Sequence, residues 1–237
     1  MKQTQYIVVP FDHQWLVEYP YQLKALIKFY CGIWEMDENF GEYRQCPECK
    51  RYFNHHQVEV KHISTCTGNS KKRHQKTPLV LAWVPEEVAA DILETSIQPK
   101  DRFSGFVALN PDNHIVGFAW AKVLPLTEVE KSWGTDMANK LKAKNTLPEV
   151  VYFDELATDP NMRGLGIGTD LIRQVSLWMC EYHPKKMALL RTHENSAARS
   201  LYERVGYEIC GTDAMYGYGR IMMATNPCAE LNIPRLN

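Results

Sequence analysis

Residues 163–168 read Arg-Gly-Leu-Gly-Ile-Gly, between an apolar strand-like run, Val150 to Thr158, and an amphipathic stretch from Thr169 to about Tyr182. Glycines 164, 166 and 168 can take positive φ or let the backbone approach a ligand closely. Successive N–H groups then face one concavity at the positive end of the following helix. Arg163 adds a fixed positive charge, and Thr169 offers a hydroxyl in the first helical turn. Strand, glycine turn and helix in this order make a cradle for a pyrophosphate. A second constellation is Cys46-x₂-Cys49-x₁₂-His62-x₃-Cys66. Three thiols and an imidazole are a tetrahedral ligand set for structural zinc, with no position left open for water. Cys46 and Cys49 fit a tight knuckle. His62 and Cys66, four apart, would share one face of a helix. Phe53 would be the small core between the pairs. Asn54, His55 and His56 compete as ligands but are less well spaced from Cys66.

Elements must position these groups. Leu79–Val84 reads as a strand, and Pro85-Glu86-Glu87 opens a helix to about Ile97, with proline and acids in the first turn. Phe103–Leu109 and Ile115–Val123 read as strands joined by the turn Asn110-Pro111-Asp112-Asn113. Residues 127–147 are polar and predict helix plus loop. The 150–158 strand and a helix over 169–182 follow, the helix burying Leu171, Val175, Trp178 and Tyr182 at three- and four-residue steps. A strand near Met187–Thr192, a helix over Ser196–Val205 and short strands at Glu208–Gly211 and Ile221–Ala224 complete the pattern. Within the aromatic-rich residues 1–45, Leu23 to Tyr30 predicts a short buried helix. The fold class is α/β, with a mixed sheet and helices on both faces. Two domains are expected: 1–78, holding the cysteine module (46–66) and a basic linker (71–76), and 79–237.

The segment Asp154 to Gly168 resembles the signature of the GNAT superfamily of acetyl-CoA-dependent N-acetyltransferases, Arg/Gln-x-x-Gly-x-Gly/Ala after a strand. Asn195-Ser196-Ala197-Ala198-Arg199-Ser200-Leu201-Tyr202-Glu203-Arg204-Val205-Gly206-Tyr207 resembles that family's second motif, Asn-x-x-Ala-x-x-Leu-Tyr-x-x-x-Gly-Phe/Tyr. The resemblance covers about 79–226 and is sharp over 150–207. It implies a fold whose central strands splay, the first of them bulged, with the pantetheine arm of acetyl-CoA in the gap. By position, Leu156, Ala157 and Thr158 would pair with that arm. Arg163, Gly164, Leu165, Gly166, Ile167, Gly168 and Thr169 would hold the pyrophosphate, and Asn195 would cap its helix or touch the cofactor. A strand N–H would polarise the thioester carbonyl. An alkyl ammonium has a pKa of roughly 10.4, so a base must take its proton. Asp154 or Glu155 would be that base, with Asp154 slightly favoured, because alternation lets only one face the cleft. Tyr202 would return a proton to the departing thiolate. The expected reaction is direct acetyl transfer to an amine. The alternatives are a longer acyl-CoA, a nucleic-acid amine, or a non-catalytic adaptor.

The 237 residues are 45% hydrophobic and 23% charged, which argues for a packed globule. No apolar run approaches the roughly 20 residues of a membrane span, and the first residues lack a signal-peptide core. Seven cysteines, three of them clustered, point to a reducing, cytoplasmic (or nuclear) setting and a metal rather than a disulfide framework. The cysteine module resembles a Cys-Cys-His-Cys zinc finger. Between Phe40 and Pro78, eight Lys/Arg face three Asp/Glu. The run Lys71-Lys72-Arg73-His74-Gln75-Lys76 is read as a solvated linker or, more sharply, a nucleic-acid contact. The acceptor, a small molecule or a protein amine, would be shaped by residues 1–45, 124–149 and 211–237. Trp133 is a candidate for its groove, while Trp120 reads as core. Cys180 and Cys210 read as inert buried residues, and His183 and His193 receive no role.

Overall fold

The computed structural model describes residues 6–36, 42–68, 72–144, 147–212 and 219–225. Two compact units divide the chain: Met1–Glu18 with Glu94–Asn237, and Tyr19–Leu93. The chain opens with β1 (Ile7–Phe11) and α1 (His13–Glu18). The second unit then holds α2 (Pro20–Met36), β2 (Arg44–Gln45), β3 (Tyr52–Phe53), a single π-helical turn at His56–Val60, β4 (Thr65–Gly68), β5 (Arg73–Pro78) and β6 (Val80–Leu81). After α3 (Pro85–Ser96) come β7 (Phe103–Leu109), β8 (Ile115–Pro125), α4 (Leu126–Trp133), α5 (Thr135–Lys144) and β9 (Glu149–Thr158). The chain continues through α6 (Ile167–Tyr182), β10 (Ala188–His193), α7 (Ala197–Val205), β11 (Glu208–Thr212) and β12 (Arg220–Thr225).

The first unit is built on a seven-stranded sheet in the order β1-β7-β8-β9-β10-β12-β11. β9 and β10 run parallel, and the other neighbours are antiparallel. β1 closes one edge by pairing along β7, from Ile7–Leu109 to Phe11–Gly105. That pairing is why residues up to Glu18 belong with the C-terminal part of the chain, although composition alone suggested one boundary near residue 78.

Alternation along Val150-Val151-Tyr152-Phe153 feeds two cores. Val151 and Phe153 pack with Leu171 and Val175 of α6, Leu190 of β10 and Val205 of α7. Val150 and Tyr152 pack on the opposite face with Val129 of α4, Met137 and Leu141 of α5, and Met222 of β12. Helices thus cover both faces of a mixed sheet, as the sequence predicts. The polar stretch after β8 forms two helices, broken at Gly134, whose φ is 91°. α6 lies close on the sheet: a Cβ at Gly117 would come within 2.9 Å of the Ile167 side chain. This fixes the start of α6, and therefore the glycine turn before it, against β8.

In the second unit, α2 is longer than the short helix expected, at 17 residues. Tyr30 on it meets Trp34 and Trp83 edge-on. β3-β2-β6 form one small sheet and β4–β5 another. Cys46, Phe53 and Cys66 are its buried centre, with Val58, Ile63 and Leu79 packed around them. Among the described residues no helix is long and apolar enough to cross a membrane.

Candidate active site and metal cluster

β9 and β10 pair only from Val151–Ala188 to Phe153–Leu190. Beyond that point β9 continues along β8, through Glu155–Trp120 to Thr158–Gly117, while Arg191 to His193 continue along β12. The two strands therefore part, and Leu156, Ala157 and Thr158 lie on the stretch of β9 that has left β10. A bulge sits at the start of the parting. Trp120 opposes Glu155 and Ala121 opposes Phe153, which leaves Asp154 as the extra residue.

The bulge treats the two acids differently from simple alternation. Lys122 on β8 places its ammonium 2.7 Å from Asp154 Oδ2. Glu155 carries the charge that reaches Tyr202: that phenol is buried, and burial first, then the charges of Tyr207, Glu155 and Tyr152, push its pKa up. Tyr202 packs against Phe153 at 5.9 Å and Tyr207 at 5.8 Å between ring centroids. Its hydroxyl makes no hydrogen bond among the described residues. It is a phenol that keeps its proton.

β9 runs into a short 3₁₀ turn, Pro160–Met162, capped by the Asp159 side chain, which accepts from the Asn161 N–H at 2.8 Å. Arg163, Gly164, Leu165 and Gly166 follow, all exposed. Gly164 and Gly166 have φ of 81° and 95°, the left-handed region that favours glycine. Gly166 is the N-cap of α6, and the buried Ile167 anchors the first turn. Gly168 needs no such freedom, since a Cβ there would meet Leu201 and Thr158 at ordinary distances of 3.5 and 3.7 Å. The helix therefore starts two residues before its expected start at Thr169, with its free N–H groups at the turn. At α7 the cap is Ser196, which accepts from the Ala198 N–H at 3.2 Å. Asn195 does not cap; it is exposed, and its backbone N–H donates to His193 Nδ1 at 3.1 Å.

The sequence reading missed Tyr6. Its hydroxyl donates to Asp170 Oδ2 at 2.6 Å, beside the cradle. A Cβ on Gly166 would lie 3.3 Å from that hydroxyl. It also missed Lys122, whose only sequence signal is a lone cation in an apolar strand. Trp120 is core, stacked on Phe118 with centroids 5.0 Å apart, and Trp133 packs on Tyr152 at 5.0 Å. His183 binds the Asp101 carbonyl at 2.6 Å. Cys180 is disulfide-bonded, so it is not the inert thiol expected. Residues 213–218 and 226–237, where part of the acceptor site was expected, lie outside the described residues.

In the second unit the ligand atoms of Cys46, Cys49, Cys66 and His74 all lie within 4.8 Å of one another. Three of the four expected ligands are thus brought together, and the fourth, His62, is not. The helical turn ends at Val60, and His62 is exposed with φ of 54°. Cys66 lies on a strand, so the spacing of four that suits a helix face does not apply. Burial pushes the Cys46 thiol up, but hydrogen bonds from the Cys49 and Glu48 backbone N–H groups outweigh it and hold the thiol below its usual value. His55, one of the rivals weighed, instead stacks near Tyr43, centroids 4.9 Å apart.

Residues 101–209 match the family model described as an acetyltransferase (GNAT) domain. Among curated proteins there is no match. Among solved structures, the chain is similar to the Drosophila melanogaster polyamine N-acetyltransferase, an enzyme that forms N-acetylagmatine. They share 12% identity over 93% of this chain and 99% of that one, with a TM-score of 0.51. A nourseothricin acetyltransferase is 14% identical over 95% of this chain and 99% of its own, with a TM-score of 0.44. An aminoglycoside acetyltransferase from an uncultured soil metagenomic sample, solved with sisomicin, is 16% identical over 84% and 86%, with a TM-score of 0.42. At such identities the likeness is one of fold. The bulged and parted strands and the glycine turn lie within the matched segment: residues 101–209, 109 of the 237 in the chain, are similar to an acetyltransferase (GNAT) domain.

Proposed function

We propose that the chain transfers an acetyl group from acetyl-CoA to an amine by direct attack, with no acyl-enzyme. The observation that carries this reading is the parting of β9 from β10 beyond Phe153 and Leu190, ending at the left-handed glycines that start α6. Leu156, Ala157 and Thr158 offer backbone groups to the pantetheine arm. The N–H groups of 163–169, with Arg163, receive the pyrophosphate. A β9 N–H donates a hydrogen bond to the thioester oxygen as negative charge develops on it. Glu155, whose charge reaches Tyr202, takes the proton of the acceptor ammonium, directly or through water. The amine nitrogen then bonds to the acetyl carbon, and the carbon–sulfur bond breaks. Tyr202 gives its proton to the departing thiolate, and the proton lost by the amine restores the balance. Asn195, exposed at the mouth of α7, is free to touch the cofactor. CoA release, followed in the wild type and in Tyr202→Phe and Glu155→Gln variants across a panel of amines, tests the assignment. Wild-type rates in both variants would remove these roles.

The acceptor is an amine on a small molecule or a protein. The Cys/His cluster of the second unit is read as a structural zinc site that holds its short strands together. Its exposed cations Lys50, Lys61, Arg73 and Lys76 favour polyanion binding as a second reading. Salt-sensitive binding of a DNA or RNA duplex that disappears with Arg73→Ala/Lys76→Ala would support it, and salt-independent binding would not. The free thiols of Cys31, Cys46, Cys49, Cys66 and Cys210 support a reducing, cytoplasmic setting, and the disulfide of Cys180 is the observation on the other side.

A further inference from the structure

We propose that His74, from the basic strand β5, is the fourth ligand of a zinc ion held by Cys46, Cys49 and Cys66, and that His62 takes no part. The proposal rests on the structural-zinc reading above and deepens it by fixing the ligand set and the ligating atom. Tetrahedral zinc, with bonds of about 2.3 Å to sulfur and about 2.0 Å to nitrogen, places its ligand atoms roughly 3.5–3.8 Å apart. Cys46 Sγ and His74 Nε2 are 3.3 Å apart, and the sulfurs of Cys49 and Cys66 are 3.8 Å apart. Two of the six edges thus lie near tetrahedral spacing, and all four atoms lie within 4.8 Å of one another.

The imidazole is set for the task. His74 Nδ1 lies 2.7 Å from the Gln75 carbonyl oxygen, which can only accept. The ring proton therefore sits on Nδ1, and Nε2 presents its lone pair toward Cys46. An outer partner that fixes the tautomer in this way is a regular companion of a metal-bound histidine. Thr77 fits the same arrangement, because its hydroxyl donates to the Gln75 carbonyl at 2.9 Å. Cys66 Sγ also receives the Gly68 N–H at 3.2 Å. The knuckle turns at Lys50, with φ of 57°, and Lys72, just before β5, donates to the Glu48 carbonyl at 2.6 Å. Phe53 closes the apolar side. Soft thiolates with one imidazole in a closed tetrahedron select zinc over oxygen-seeking cations. Four filled positions leave none for catalytic water.

The fold explains why spacing alone misled. β4 pairs with β5, Cys66 opposite Thr77, with a bulge before Gly68 opposite Arg73. The hairpin thus returns His74 to Cys66 across the strands. The same strand carries Arg73 and Lys76, so the ion would also fix the backbone that presents those cations.

Metal content of the full chain, together with visible absorption after cobalt(II) substitution, tests the proposal. The wild type is expected to bind one zinc per chain and to give the intense bands of tetrahedral thiolate-bound cobalt. His74→Ala should lower zinc affinity on the order of 100-fold or more. His74→Cys should retain the metal and alter the cobalt spectrum, which separates ligand loss from failure to fold. His62→Ala should leave stoichiometry and spectrum unchanged. Loss of zinc in His62→Ala with retention in His74→Ala would overturn the proposal. So would a metal-free wild type whose Cys49 and Cys66 are oxidised to a disulfide. Acetyl-CoA binding measured on the same samples keeps the outcomes apart: a chain that binds acetyl-CoA but no zinc refutes the metal site alone.

Discussion

The Tyr6 hydroxyl reaches across 164 positions of sequence to donate a 2.6 Å hydrogen bond to Asp170 Oδ2, in the first turns of α6. Burial, and then the hydrogen bond and charge of Asp170, push the Tyr6 phenol up, so it remains a donor. A carboxylate at that end of the helix competes with a pyrophosphate for the same N–H groups and repels it. Tyr6 immediately precedes β1, three strands from β9 in the sheet order, whereas the gap proposed for the cofactor lies between β9 and β10. The hydrogen bond therefore holds the carboxylate toward the β1 side. Tyr6→Phe is expected to raise the KM for acetyl-CoA by about 3- to 10-fold with kcat little changed, the loss of a charged hydrogen bond being worth about 1.5–3 kcal/mol at most. Asp170→Asn in the Tyr6→Phe background should restore the KM. Steady-state kinetics of the four-member cycle checks both, and a fall in kcat at constant KM would contradict this role.

The two acids of the bulge should separate cleanly. Glu155→Gln is expected to lower kcat/KM by roughly 10²–10⁴, the usual worth of general base catalysis. Asp154→Asn should cost less than about tenfold in rate, with a stability loss of about 1 kcal/mol from the ion pair with Lys122. Tyr202→Phe should fall in the range of Glu155→Gln while leaving the KM for acetyl-CoA nearly unchanged. Because Tyr202 is pushed up by burial, no alkaline fall in rate from its ionisation is expected in an ordinary pH profile. Equal losses from Asp154→Asn and Glu155→Gln would contradict the division of roles.

The glycines of the turn should differ by conformation. Gly164→Ala and Gly166→Ala force a side chain into left-handed backbone, which costs about 1–2 kcal/mol each. Gly166→Ala adds pressure on the Tyr6 hydroxyl, 3.3 Å away. Gly168→Ala finds only ordinary contacts, so its thermal midpoint should stay near that of the wild type. Any defect it has should appear in the KM for acetyl-CoA. Calorimetric unfolding of the three variants would reveal the pattern, and a Gly168→Ala midpoint as low as that of Gly166→Ala would break it.

Stability should fall on the acid side in two steps. The Lys186 ammonium bonded to Glu149 at 3.0 Å, against the opposing effect of burial and with help from Arg102 at 3.1 Å, holds the Glu149 carboxyl below its usual range. Burial, and then Lys186, hold His183 below its own usual value. In both cases the unfolded chain binds more protons than the folded one, so stability rises with pH through the window between the two values. The His183 contribution is complete above about pH 6.5, and the Glu149 contribution above about pH 4.3, and each fades as pH drops further. Urea midpoints measured from about pH 7 to about pH 3 should show Glu149→Gln losing the lower step, worth about 1 kcal/mol after allowing for solvent exposure. A pH dependence identical to that of the wild type would refute the assignment.

Much of the site could be read locally because its causes are local. Left-handed glycines, a buried strand before them and an amphipathic helix after them leave their mark within about thirty residues, and α6 and α7 lie close to where periodicity puts them. What escaped depends on pairing at long range. β1 carries no alternation of its own, and only its ladder with β7 makes Tyr6 part of the cradle. The alternation rule could not distinguish Asp154 from Glu155, because a bulge breaks alternation at that point. His62 was chosen by helical spacing, yet the β-branched residues of Thr65-Cys66-Thr67 before Gly68 signalled a strand and hairpin. His74 was hidden in a run of cations whose charge drew attention away from its imidazole.

The central claim is most directly tested by incubating the purified chain with acetyl-CoA and an amine panel, quantifying released CoA and identifying the product by mass spectrometry. The account predicts one CoA released per N-acetylated acceptor, slowed together by roughly 10²–10⁴ in Tyr202→Phe and Glu155→Gln while acetyl-CoA binding persists. A chain that neither binds acetyl-CoA nor releases CoA with any amine would contradict it.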